Sequence, residues 1–157
     1  MNSTRSKHPI IGDVVEISTP KGFAYAQYTH KHPQYGALLR ILPGVYESRP
    51  AELSDLVTML ERFVVFFPLG SAVSRHIVSI VAHCPVPAES QKFPVFRSGV
   101  KNPETGRVDT WWLWDGKQEW KAGKLTKEQE MLPIRGIWND TLLIERIVRG
   151  WSPADEV

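Results

Sequence analysis

Apolar and polar positions change period along this chain, and the changes mark out its elements. Gly12-Asp13 opens Val14-Val15-Glu16-Ile17-Ser18-Thr19, which predicts a strand. Pro20-Lys21-Gly22 is a turn, and Phe23 to His30 a second strand. The polar loop Lys31-His32-Pro33-Gln34 leads to a third strand from Tyr35 to Leu42, stopped by Pro43-Gly44. Over 52–61 the period becomes helical: Leu53, Leu56, Val57 and Leu60 share a face, with Glu52, Asp55 and Glu61 opposite. Phe63 to Phe67 reads as a buried strand ending at Pro68, Arg75 to Ala82 as a strand, and Phe93 to Arg97 as a short extended piece. Thr126 and Gln129 have capping-box spacing, so a short helix is expected there. Asn139 or Asp140 caps a last helix marked by Leu142, Leu143, Arg146 and Ile147 and ended by Gly150.

Four of the six tryptophans fall within Trp111-Trp112-Leu113-Trp114-Asp115-Gly116-Lys117-Gln118-Glu119-Trp120. Asp-Gly between aromatic runs is a strong hairpin signal. With Asp115-Gly116 as the loop, Trp114 pairs with Lys117 and Trp111 with Trp120. Trp111, Leu113 and Trp120 then share one face and Trp112 and Trp114 the other. The first face is expected to be core, and the second to be covered or offered to a partner. These elements make an α+β chain, a β-rich single domain built on a strongly bent antiparallel sheet or small barrel with two to three short helices. Residues 1–10 are expected to be a flexible arm and 11–157 the domain.

Composition narrows the class further. At 157 residues with 42% hydrophobic and 23% charged positions, the chain has enough material for one real core. A net charge of +2, spread without a basic block, argues against a dedicated nucleic-acid binder. Cys84 is the only cysteine, so no intrachain disulfide forms. The polar start and the short apolar run Phe63–Leu69 predict neither a signal peptide nor a membrane span, and hence a cytoplasmic location.

Catalytic and metal signatures are sparse. His30 and His32 share a strand face, but no HExxH, paired-cysteine motif or nearby carboxylate completes a metal site. Cys84 before Pro85 lacks the surroundings of a nucleophile, and Gly99, Gly106 and Gly116 are isolated turn glycines rather than a phosphate loop. Asp13 is expected to bond its own turn, and Glu145 to pair with its helix neighbours. No enzyme activity, cofactor or metal is expected. Aromatics among cations, namely Tyr25, Tyr28, Tyr35 and Arg40, or Trp112, Trp114 and Lys117, suit either core filling or a stacking platform for bases.

Several segments in order resemble the Immunity protein 26 family of bacterial polymorphic toxin systems. They are Gly12-Asp13-Val14-Val15-Glu16-Ile17, Lys21 to Gln27, Phe67-Pro68-Leu69-Gly70, Pro94-Val95-Phe96-Arg97, Trp111 to Gly116, and Leu143 to Ile147 followed by Gly150-Trp151-Ser152-Pro153. The likeness runs from about residue 11 to 153, with Val15 standing where an aromatic is expected. It implies a small cytosolic protein that binds and neutralises a cognate toxin without chemistry of its own. Trp112, Trp114, Tyr25 and Tyr28 are the expected contacts, since aromatics anchor interface hot spots. The alternative is a small-barrel nucleic-acid-binding module using exposed aromatics.

Overall fold

A computed structural model describes residues 8–157. Residues 1–7 of the expected arm lie outside the described residues. Strands β1 (Asp13–Thr19), β2 (Gly22–His32), β3 (Gly36–Ile41), β4 (Phe63–Phe66) and β5 (Val78–His83) form one antiparallel sheet in the order β4-β3-β2-β1-β5. Strands β6 (Phe96–Ser98), β7 (Trp111–Trp114) and β8 (Glu119–Gly123) form a second in sequence order. The α+β, β-rich reading holds. Neither sheet closes on itself, so of the two expected forms the small barrel is corrected to an open sheet.

Alternation fills both faces of the large sheet. Val15, Ile17, Ala24, Ala26, Tyr28, Leu39, Ile41, Phe63 and Val65 line one face. They pack under α2 (Leu69–Ser74) and α3 (Asp140–Arg149), with Trp138 and Trp151 filling the gap. On the other face Val14, Tyr25 and Leu42 meet α1 (Leu53–Val57), and Leu38 and Phe66 meet Phe96 and Trp114 of the small sheet. A sheet buried on both sides needs apolar residues at nearly every position, which is why these strands also carry apolar residues out of phase.

The two sheets are joined by an extended segment, residues 133–138. Trp138 N–H donates to Phe66 O (3.0 Å), Arg97 N–H to Pro133 O (2.9 Å) and Arg135 N–H to Arg97 O (2.9 Å), so the segment covers the edges of β4 and β6 together. The edges left open are guarded differently. β8 carries Glu119 and Lys121, while β5 bulges at Val81, where pairing moves from Val14–Ala82 to Val15–Ile80.

Three expectations change at the level of elements. The helix expected over 52–61 stops at Val57, because Arg40 takes the carbonyls of Val57 and Met59 that further turns would use. The Thr126–Gln129 capping bonds form, at 2.9 and 3.2 Å, but only a 3-10 turn at Gln129–Met131 follows before Pro133. α2 was not expected, since its six residues follow an apolar run that hides their period.

The hairpin forms one position later than expected. Gly116, at φ +98°, takes the first central place of the turn with Lys117 second, and Asp115 Oδ1 accepts from the Lys117 and Gln118 amides at 3.0 and 2.8 Å. Trp114 therefore pairs with Glu119 and Leu113 with Trp120. A slip of two residues preserves the faces. α3 is capped by Asn139, whose Oδ1 accepts from Leu142 N–H, and ended by Gly150 in the left-handed region. Among the described residues no helix is long and apolar enough to cross a membrane.

Candidate partner-binding face

A buried polar spine crosses the second face of the large sheet and sets the loops around it. Gln27 and Arg40 are register partners on β2 and β3, and both are buried. Arg40 Nη1 donates to Gln27 Oε1 (2.9 Å) and Val57 O (3.0 Å), Nη2 to Met59 O (2.7 Å) and Nε to Glu61 Oε1 (3.0 Å). Gln27 Nε2 donates on to Cys84 O at 2.8 Å and Gly12 O at 3.3 Å. The guanidinium is thereby satisfied, and it fastens α1 to the sheet while Gln27 holds the chain at Cys84. Arg97 does the same for the C-terminal segment. Fully buried, it donates to the carbonyls of Leu132 (3.3 Å), Glu130 (3.0 Å) and Pro153 and lies 4.4 Å over the Trp111 ring.

His32, at the end of β2, joins the two sheets. Its Nδ1 accepts from the amides of Gln34 (3.1 Å) and Tyr35 (3.2 Å), so that nitrogen is unprotonated and Nε2–H donates to Gly116 O at 2.8 Å. The ring packs against Tyr35, Phe66, Phe93 and Trp114, with centroids 5.0–6.0 Å away. One imidazole thus holds the β2–β3 turn against the tip of the tryptophan hairpin.

Grooves surround this turn. One, about 560 Å³, lies between Lys31–Gln34, Phe93 and the hairpin tip Asp115–Lys117, with Ile11 at its rim. A second of about 520 Å³ shares Lys31, Pro33 and Gln34 and continues along Tyr35, Pro68 and Ile137. A third of about 290 Å³ shares Ile11 and His30. Ile11 and Ile137, 49% and 54% exposed, are unusually open for their type, so the grooved face presents apolar surface to water.

The third groove contains a carboxylate–histidine pair among the described residues. Asp13, fully buried, accepts from His83 Nδ1 at 2.9 Å and from Ile10 N–H at 2.9 Å, leaving His83 Nε2 at a half-exposed ring. A carboxylate that fixes a histidine tautomer in this way prepares a base or a ligand. The neighbouring described groups are engaged elsewhere or unactivated. His30 is held by Thr29 Oγ1 (2.9 Å) and Gln91 O (2.7 Å), and burial pushes the Cys84 thiol up, away from thiolate. Among the described residues no three His, Cys, Asp or Glu side chains are grouped to hold a metal ion.

The four expected contact residues separate. Tyr25 is fully buried with its hydroxyl donating to Glu16 Oε2 (2.7 Å), and Tyr28 and Trp114 lie in two different core clusters. None of these three presents its ring to a partner, because the open sheet is buried on both faces where a barrel would expose one. Trp112 is 38% exposed, and Trp120, expected in the core, is 41% exposed. The cations near the other rings are committed: Arg135 lies 4.2 Å over Trp114, and Arg146 lies between Trp138 and Trp151. Of the N-terminal set, Tyr25, Tyr28 and Arg40 are core, while Tyr35 is half-buried against Phe66 and Trp114. His32, Phe93 and the grooves were missed. Their signal was the Lys31-His32-Pro33-Gln34 loop, but nothing local says that the hairpin tip folds against it. No family model, curated protein or solved structure matches the chain.

Proposed function

We propose that this chain is an immunity-type protein that binds a cognate toxin in the cytoplasm and neutralises it by occupying its surface. The observation that carries the reading is the grooved, partly apolar face around Lys31–Gln34, where three concavities share their walls. Such a face suits a macromolecular partner, because burying half-exposed Ile11, Ile137 and the Phe93 edge supplies the non-directional part of an affinity while the polar rim supplies register. The ordered motifs from Gly12 to Pro153 add support, and their residues divide the work. Asp13, Gln27, Arg97 and Trp111 hold the scaffold, while the loops between them form the face. Trp112 stays a contact residue outside the grooves, and Trp120 joins it.

Binding alone suffices for such a role, and an interface of standard size, about 1,600 Å², reaches nanomolar affinity or better when its anchors are well packed. The test is co-expression with the toxin encoded beside the gene. Survival of the cells and a stable complex on gel filtration are expected. Cells that die, with no complex in the column, would overturn the reading.

A further inference from the structure

The groove between the β2–β3 turn and the hairpin tip has a definite chemistry. Its floor and rim are apolar or aromatic at Ile11, Pro33, Phe93 and the buried ring of His32. Its volume, about 560 Å³, lies within the range of small-ligand sites, roughly 300–1,000 Å³, and Lys31, Pro33 and Gln34 also line the second groove. Lys31 and Lys117 stand exposed on its two walls, and neither forms an ion pair among the described residues. Asp115 is the single carboxylate in the lining. The Gln118 and Lys117 amides, with the Lys117 charge, hold it below the usual carboxylate range, so it stays ionised and fastened to its own turn. Lys31 and Lys117 against the single carboxylate of Asp115, on which the Lys117 charge already acts, leave the apolar trough one net positive charge, which favours an anionic occupant with an apolar centre.

We propose that this groove receives an extended segment of a partner protein in which an apolar side chain is flanked by carboxylates. The apolar side chain lies against Phe93 and Ile11, and the carboxylates meet Lys31 and Lys117. A chain rather than a small molecule is what a protein partner presents here, and Lys31, Pro33 and Gln34 line both this groove and the second. The inference rests on the protein-binding reading above and names the partner chemistry at that face.

The probe is a pair of acetylated, amidated hexapeptides titrated into the full-length ¹⁵N-labelled chain: Asp-Glu-Leu-Phe-Glu-Asp, and Lys-Ser-Leu-Phe-Ser-Lys with the same centre and opposite charge. The acidic peptide is expected to shift the amides of Lys31, Gln34, Phe93, Gly116 and Lys117 with a Kd of about 1 mM or tighter. Affinity should fall at least about fivefold between roughly 50 and 500 mM salt, because screening shortens the reach of the two ammoniums. The double variant Lys31→Glu/Lys117→Glu should lose binding while its remaining amide spectrum stays that of the folded chain, since both side chains are exposed. Equal binding of the two peptides, shifts elsewhere on the surface, or no shift at about 5 mM peptide overturns the proposal. A toxin complex unaffected by Lys31→Glu/Lys117→Glu also overturns it while leaving the immunity reading intact. Peptide binding in the groove without any toxin complex does the reverse.

Discussion

Replacing Arg40 with methionine tests whether the buried spine holds the domain together. The side chain is 1% exposed and donates four hydrogen bonds, and Met is an unbranched apolar stand-in of fair length. Two of the acceptors left behind, Gln27 Oε1 and Val57 O, are deeply buried and cost about 1–3 kcal/mol each when unpaired. The other two reach water more easily, since Glu61 is 24% exposed and Met59 is 52% exposed. Relief from desolvating the guanidinium offsets part of the loss, so the net cost is about 3 kcal/mol, at the low end for a broken buried pair. That is a large share of a typical domain stability of about 5–15 kcal/mol, and it lowers Tm by roughly 6–12 °C in a chain of this size. Urea unfolding with an unchanged slope measures it. The companion variant Gln27→Leu closes a double-mutant cycle, in which the pair should cost at least about 1 kcal/mol less than the sum of the singles. A loss under about 1 kcal/mol for Arg40→Met, or strict additivity, refutes the argument that this network is a single satisfied unit.

Four further outcomes follow from the same geometry. His32→Phe keeps the ring among Tyr35, Phe66, Phe93 and Trp114 but loses the bonds to Gly116, Gln34 and Tyr35; it should cost about 1–2 kcal/mol by urea titration and speed amide exchange at the hairpin tip. His76 sits at φ +61° after α2, where Ile77 N–H reaches Ala72 O and His76 N–H reaches Val73 O, the helix-ending geometry that Gly150 provides for α3; His76→Gly should stabilise by about 0.5–1 kcal/mol in thermal melts, and a destabilised variant would contradict the strain assigned to this turn. Trp114→Ala should cost about 3–5 kcal/mol and Trp112→Ala less than about 1 kcal/mol, with calorimetry of both variants separating core from surface. The Arg49 guanidinium, with help from the Tyr25 hydroxyl, holds the Glu16 carboxyl below its ordinary value of 4.5. A depressed folded value contributes stability that is complete above 4.5 and is lost as pH falls through the depressed value, so Arg49→Ala should flatten stability against pH between about 5 and 2.

Local chemistry in the sequence was enough to place most elements. Short apolar runs bounded by turn residues located β1 to β5, because strands buried on both faces are apolar at nearly every position and end at Gly, Pro and polar loops. Asn139 and Gly150 bounded α3, because capping is decided within a few residues. The hairpin faces survived an error in its register, since a slip of two residues keeps every side chain on its side. The site was much less visible. Which rings face water depended on what packs over each face: Tyr25 lies under α1, Tyr28 on the face under α2 and α3, and Trp114 against Leu38 and Phe66 of the large sheet, so residues of ordinary interface chemistry were put inside by long-range packing. Nothing local marks Lys31 and Lys117 as groove-lining and exposed while Arg40, Arg97 and Arg135 take partners as far as 100 residues away. The Lys31–Gln34 loop becomes a groove wall only when His32 reaches Gly116, 84 positions along the chain. Contacts over that distance are closed by the fold as a whole, so the elements could be read from the chain while the grooved face required the assembled sheets.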